Sequence, residues 1–189
     1  MDIGLLGGTF DPVHNGHLAL ARTAFDALHL EKVVFIPAFI PPHKESKSIM
    51  SVSHRLRMLE LSLLENPFCE ISDIEIKKNK KVFTIDTLQE LKRNYPRDVR
   101  LFFLVGSDFI HEYHTWKEPA ELLELATFII ASRPGFSYTI LPQGMQVLEG
   151  NFPDISSTDI RDKLKKREDV SDLLPPNVLS YIKKHALYR

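Results

Sequence analysis

Short apolar runs alternate with amphipathic stretches along this chain. Ile3–Leu6, Lys32–Pro37 and Leu101–Val105 are rich in aliphatic, β-branched or aromatic residues, as buried strands are. Between them, apolar residues at three- and four-residue spacing predict helices. The helices predicted are Gly16–Leu28, a segment from Ser53 that ends before Pro67, Thr84–Tyr95, Glu118–Leu125, Ser156–Lys166 and Pro176–His185. The other strands predicted are Cys69–Ile76, Thr127–Ala131 and Met145–Leu148.

Strands that alternate with helices indicate a parallel sheet covered on both faces. We therefore predict a doubly wound, Rossmann-like α/β fold with a small C-terminal helical portion. A chain of 189 residues suits one domain, with the core at about 1–150 and the helical portion at about 151–189. Ligands of such sheets bind at the carboxyl ends of the strands, near the switch point in strand order.

Composition and charge narrow the class of protein. Hydrophobic residues make up 43% of the chain and charged residues 26%, which is ordinary for a globular protein. The formal net charge of −1 predicts no nucleic-acid or membrane partner, so a local cluster of donors must hold any anion. The single cysteine, Cys69, favours a reducing, cytoplasmic setting and an inert thiol. A homo-oligomer stays possible.

The segment Gly7–His17 joins the first predicted strand to the first predicted helix. Its glycines permit close approach of a ligand to the backbone, and the helix start offers free amides and a positive dipole end. His14 and His17 stand three residues apart, so both imidazoles can point at the same phosphates and donate hydrogen bonds to developing charge. This pattern predicts a phosphate site.

A second phosphate motif lies near the end of the chain, at Ile155–Arg161. Ser156 and Ser157 are natural N-caps, with Thr158 beside them, and hydroxyls with free amides at a helix start form an anion cradle. Arg161 follows about one turn later and can reach the same anion with its planar donors. We predict that both motifs fold onto one triphosphate.

The two motifs together resemble the signatures of the nucleotidyltransferase superfamily, in which two histidines of a His-x-Gly-His type sequence contact the triphosphate. Three further segments narrow the resemblance: Ile40–Lys44, Phe83–Leu88, and Gly106–Asp108 with Trp116 shortly after. With these, nearly the whole chain resembles bacterial nicotinate-nucleotide adenylyltransferase.

This resemblance implies transfer of AMP from ATP to nicotinate mononucleotide, giving nicotinate adenine dinucleotide and pyrophosphate in NAD biosynthesis. It implies Mg²⁺ with ATP as co-substrate and no protein metal cage. The predicted catalytic residues are His14, His17, Lys44 and Arg161. The predicted ATP-binding residues are Gly8, Thr9, Phe10, Gly16, Arg133, Ile155, Ser156, Ser157 and Thr158. The predicted mononucleotide-binding residues are Thr84, Gly106, Asp108 and Trp116, of which the indole suits a cationic pyridine ring.

The chain departs from the family pattern at two positions. Phe83 stands where the family usually has tyrosine, and Lys117 stands where an aromatic residue commonly follows the tryptophan. Two other functions stay open: adenylyl transfer to phosphopantetheine, and a non-catalytic nucleotide sensor on the same fold; a cytidylyl donor is a weaker option. Elsewhere, we expect His54 and Arg55 on a solvated helix face, and Asp86 as a helix cap.

Overall fold

The computed structural model describes residues 1–40, 49–132 and 141–189, and these ranges form a parallel sheet flanked by helices. The strands are β1 (Asp2–Gly8), β2 (Lys32–Pro37), β3 (Cys69–Ile71), β4 (Arg100–Gly106), β5 (Thr127–Ala131) and β6 (Met145–Leu148). The helices are α1 (Asn15–Ala27), α2 (Val52–Leu63), α3 (Ile74–Lys77), α4 (Thr84–Asn94), α5 (Phe109–Glu112), α6 (Pro119–Leu125), α7 (Ser157–Lys165) and α8 (Pro176–Lys184). A 3₁₀ turn at Tyr113–Thr115 follows α5.

The sheet has the strand order β3-β2-β1-β4-β5-β6, and every neighbouring pair is parallel. The chain moves outward from β1 through β2 to β3 and then returns to the other side of β1 with β4. The switch point therefore lies between the carboxyl ends of β1 and β4, where such sheets bind ligands. The predicted doubly wound fold is confirmed.

Two apolar layers cover the faces of the sheet. On one face Leu20 of α1 and Leu59 of α2 belong to one buried cluster with Leu6 of β1. On the other face Leu88 of α4 and Leu122 of α6 belong to a second buried cluster. Because both faces are covered, the central strands are apolar throughout and leave only their ends for polar chemistry.

The C-terminal helices pack onto the same apolar layer as α1 and α2. Ile160 of α7 and Val178 and Ile182 of α8 are buried in that cluster, and Leu187 closes its edge. The last residues of the chain therefore lie close to the elements that begin it. Among the helices in the described ranges, none is long and apolar enough to cross a membrane.

One local prediction was wrong, and one short helical segment was missed. The predicted strand Cys69–Ile76 ends at Ile71, and Ile74–Lys77 forms the short helix α3 instead. β3 is an edge strand with one neighbour, so nothing extends its pairing beyond Ile71, and the Lys77 amide donates to the Asp73 carbonyl at 2.9 Å. The helical turns at Phe109–Thr115 were missed because they are too short to show a period.

Candidate active site

A cavity of about 600 Å³ opens at the carboxyl ends of β1 and β4. The opening loop after β1, the starts of α1, α4 and α7, and the turns after β4 all contribute to its wall. Most of the predicted site residues line it: Gly8, Thr9, His14, Gly16, His17, Thr84, Gly106, Asp108, Trp116, Ile155, Ser156, Ser157 and Thr158. Segments that are distant in sequence therefore share one cleft.

The start of α1 holds the two histidines in a fixed arrangement. His14 is the N-cap residue, and its backbone N–H donates to Nδ1 of His17 at 3.2 Å. A nitrogen that accepts this bond carries no proton, so the neutral His17 ring has its hydrogen on Nε2. At this helix start the Asn15 N–H donates to the Leu173 carbonyl at 2.9 Å, and the His17 N–H donates to the His14 carbonyl at 3.0 Å. Both imidazoles and the start of α1 thus line the cavity together.

Close packing keeps these rings at the helix start. The His14 and His17 ring centroids are 3.7 Å apart, and Phe10 makes a T-shaped contact with His17 at 5.0 Å between centroids. A Cβ on Gly16 would come within 3.1 Å of His14 Nδ1, so glycine leaves the space in which this ring lies. Phe10 has a φ of 51°, a left-handed conformation that packing of its buried ring must offset.

The start of α7 meets the opening loop directly. Ser156 caps the helix by accepting the Asp159 N–H at 3.1 Å, which confirms the cap predicted there. The Ser157 hydroxyl donates to the Pro12 carbonyl at 2.9 Å. These contacts aim the amide end of α7 at the cavity that α1 also faces, so two helix dipoles favour negative charge at one place.

The opposite end of the cavity is lined by aromatic side chains. Trp116 is half-buried and packs edge-to-face on Phe109, with 4.9 Å between ring centroids. Phe83, 36% exposed, and Thr84 line the wall near the start of α4. A Cβ on Gly106 would meet no atom within 4 Å, which leaves open space at the end of β4. This end suits a flat ring rather than a phosphate.

Two charged residues stand beside the aromatic end. Lys117 donates to Asp86 Oδ1 at 3.1 Å, a hydrogen bond that raises the lysine pKa, and its ammonium lies 5.3 Å from the Phe83 ring centroid. Glu75 also lines the cavity; burial raises its pKa, and the Thr87 hydroxyl that donates to it at 2.8 Å opposes that rise. A cation and a half-buried carboxyl therefore border the same subsite.

Comparison with known proteins agrees with this geometry. A profile of the cytidylyltransferase-like family matches residues 5–163. A Clostridium tetani protein named as a probable nicotinate-nucleotide adenylyltransferase is 41% identical, with 98% of each chain covered. A protein of the same name from Oceanobacillus iheyensis is also 41% identical, with 99% of this chain and 96% of that chain covered. This chain belongs to the nicotinate-nucleotide adenylyltransferase family.

Solved structures share the fold of this family member. A Plasmodium falciparum nicotinic acid mononucleotide adenylyltransferase complexed with NaAD superimposes with a TM-score of 0.83. The comparison covers 99% of this chain and 97% of that chain at 23% identity, so it supports the architecture alone.

Four of the predicted site residues do not belong to the described wall of the cavity. Lys44 and Arg133 lie outside the described residues. The ring of Phe10 is buried in the core, where it packs on Phe35. Arg161 lies behind the cavity wall, where it donates to the Asp11 carbonyl at 2.8 Å and to Thr158 Oγ1 at 3.3 Å. That Arg161 reaches the triphosphate itself stays a prediction.

The expectation of a solvated Arg55 was wrong. Arg55 is 1% exposed and donates to three backbone carbonyls, those of Met50 at 3.0 Å, Thr9 at 2.8 Å and Phe39 at 3.1 Å. Burial lowers its pKa, and the nearby Asp11 opposes that change. It therefore ties the opening loop to the end of β2 and the start of α2. An arginine on a helix gives no local signal of burial.

The predicted cap at α4 is confirmed in part, because Asp86 Oδ2 accepts the Phe83 N–H at 3.4 Å while its other oxygen faces Lys117. Sequence reasoning missed Glu75, because it fell inside the wrongly predicted strand. Within residues 1–40, 49–132 and 141–189, no group of three or more His, Cys, Asp or Glu side chains is placed to hold a metal ion.

Proposed function

We propose that this chain transfers the AMP part of ATP to nicotinate mononucleotide, giving nicotinate adenine dinucleotide and pyrophosphate. One observation carries the proposal: α1 and α7, far apart in sequence, begin at the same cavity, which continues to Trp116. One end of that cavity offers anion donors and the other offers aromatic surface. A dinucleotide product needs both.

The triphosphate of ATP binds between the starts of α1 and α7. His17 directs Nε2–H toward it, His14 lies alongside, and the amides near Ser157 supply further donors. Thr9 and Thr158 line the same end of the cavity. Lys44 and Arg133, outside the described residues, join this site in the proposal, with Arg133 on the adenosine side.

The mononucleotide binds at the aromatic end. Its cationic pyridine ring stacks on Trp116, and Thr84 with the free amides of α4 holds the ring carboxylate. Asp108, exposed at the end of β4, accepts from ribose hydroxyls, and Gly106 leaves room beside it. Lys117 adds a positive charge next to this subsite and favours an acid over an amide on the ring.

The reaction is direct in-line transfer. A 5′-phosphate oxygen of the mononucleotide attacks the α-phosphorus of ATP, the bond to the bridging oxygen of the β-phosphate breaks, and pyrophosphate leaves. The nucleophile is already an anion at neutral pH, so the reaction needs no strong base. Histidine and backbone donors stabilise the charge that develops on the leaving group. ATP would enter as its Mg²⁺ complex, and the metal would supply charge neutralisation to the phosphates.

A pyrophosphate-release assay tests the proposal. With ATP, release should be fastest with nicotinate mononucleotide, slower with nicotinamide mononucleotide, and absent with phosphopantetheine. Release with phosphopantetheine alone would reassign the acceptor. ATP binding in a calorimeter without turnover of any of the three acceptors would instead indicate a nucleotide sensor.

A further inference from the structure

A buried polar cluster lies behind the opening loop, outside the cavity. Its centre is Asp11, which is 2% exposed. Asp11 Oδ1 accepts the hydroxyl of Tyr188 at 2.6 Å, and Oδ2 accepts the Met50 N–H at 3.3 Å. The backbone carbonyl of Asp11 accepts from Arg161 at 2.8 Å. One residue thus receives bonds from the start of α2, from α7 and from the C-terminal turn.

This cluster touches both halves of the phosphate site. Arg161 also donates to Thr158 Oγ1 on the cavity wall, and Ser157 donates to the Pro12 carbonyl next to Asp11. On the other side, Asp11 is three residues before His14. A displacement of Asp11 therefore changes the register between the histidines of α1 and the amides of α7.

The backbone of the C-terminal turn is shaped to deliver the Tyr188 side chain. Ala186 and Tyr188 have φ values of 51° and 62°, left-handed conformations that non-glycine residues seldom adopt. Such conformations persist where surrounding contacts over-determine them. Leu187, between the two, is buried in the apolar layer and fixes the turn from its other side.

We propose that Tyr188 is a positioning residue for adenylyl transfer, acting through Asp11 to hold the opening loop in register with α7. This inference rests on the proposed function. Burial and the neighbouring Asp11 raise the pKa of Tyr188, so its hydroxyl stays a donor at neutral pH and above. Tyr188 is not among the residues that line the cavity in the described part of the chain, so its effect is on the placement of His14, His17 and Ser157.

The test compares two variants, each of which lacks one tyrosine hydroxyl. Y188F removes the bond to Asp11, and Y181F removes a bond of 2.9 Å between Tyr181 of α8 and His54 Nδ1, remote from the phosphate motifs. Because misplacement of about 1 Å costs up to roughly a hundredfold in rate, we expect Y188F to lower kcat by about tenfold. Its KM for nicotinate mononucleotide should stay within about twofold, because the aromatic subsite is untouched. Y181F should keep the wild-type kcat.

A binding measurement separates this proposal from the proposed function. Calorimetry with α,β-methylene-ATP needs no acceptor, and Y188F should bind it several-fold more weakly than Y181F. Circular dichroism and urea unfolding establish that both variants are folded. The role of Tyr188 would be overturned if the two variants had the same kcat and the same analogue affinity, whether both stayed at wild-type values or both fell equally. Absence of turnover in the wild-type protein would instead refute the acceptor assignment.

Discussion

Replacement of Arg55 by methionine is the perturbation whose size the structure defines best. Methionine has similar length and packs well in a buried position, so R55M removes chiefly the guanidinium. The three carbonyls of Met50, Thr9 and Phe39 lose their donor together. R55M also removes the positive charge next to Asp11, the carboxylate whose negative charge opposes the fall in the Arg55 pKa.

The magnitude follows from burial and bond number. A hydrogen bond to a charged group contributes about 1.5–3 kcal/mol net to stability. The loss of three such bonds is partly offset because methionine, unlike arginine, does not require the burial of a charge. Removal of one partner from a buried charged network costs about 3–5 kcal/mol, and we expect R55M to lose that much free energy of unfolding. In a chain of this size, such a loss lowers Tm by roughly 10 °C. R55K keeps the charge but lacks the planar set of guanidinium donors, so its free energy of unfolding should lie between those of R55M and the wild-type protein.

Urea unfolding followed by circular dichroism measures this loss, with Arg57 as the matched control on the same helix. Arg57 is 55% exposed and pairs with Glu60 at 2.8 Å, so R57M should change stability by about 0.5 kcal/mol or less. A loss below about 1 kcal/mol in R55M, or equal losses in R55M and R57M, would refute the reasoning that Arg55 joins these segments.

Three other changes test the site and the core. H17A should lower kcat by about 10²–10³ with little change in the urea midpoint, because one pre-positioned donor is lost; an unchanged kcat in pyrophosphate release would remove His17 from the mechanism. K117M should reduce the ratio of kcat/KM for nicotinate over nicotinamide mononucleotide several-fold while K117R retains it, and an unchanged ratio in K117M would exclude a role for this charge. Burial raises the pKa of the Cys69 thiol to about 12, so the native thiol should react slowly with a disulfide reagent at pH 8 and readily after unfolding. In the unfolded chain the thiol has its ordinary pKa of 9.0, so the cysteine's contribution to stability should decline as pH rises from about 9 to 12; C69S should lack that part of the decline.

The sequence alone determined the order and type of most elements, and it indicated that the motifs Gly7–His17 and Ile155–Arg161 belong to one site. Strand runs such as Leu101–Val105 and caps such as Ser156 depend on residues within one helical turn or one strand, so their signals are local. The sequence also indicated the aromatic end of the cavity, because Trp116 comes after a strand run and Thr84 begins a predicted helix.

Only the tertiary structure decided which polar residues became buried and joined. Arg55 bonds a carbonyl 46 residues away, and Tyr188 bonds Asp11 across 177 residues, so no spacing rule indicates either contact. The end of β3 at Ile71 likewise depends on its place at the edge of the sheet, and the exposure of Glu75 to the cavity follows from that end. The local sequence pattern indicates which secondary structure a segment prefers. Whether a charged side chain is buried depends on which distant segments pack against it and supply hydrogen-bond partners.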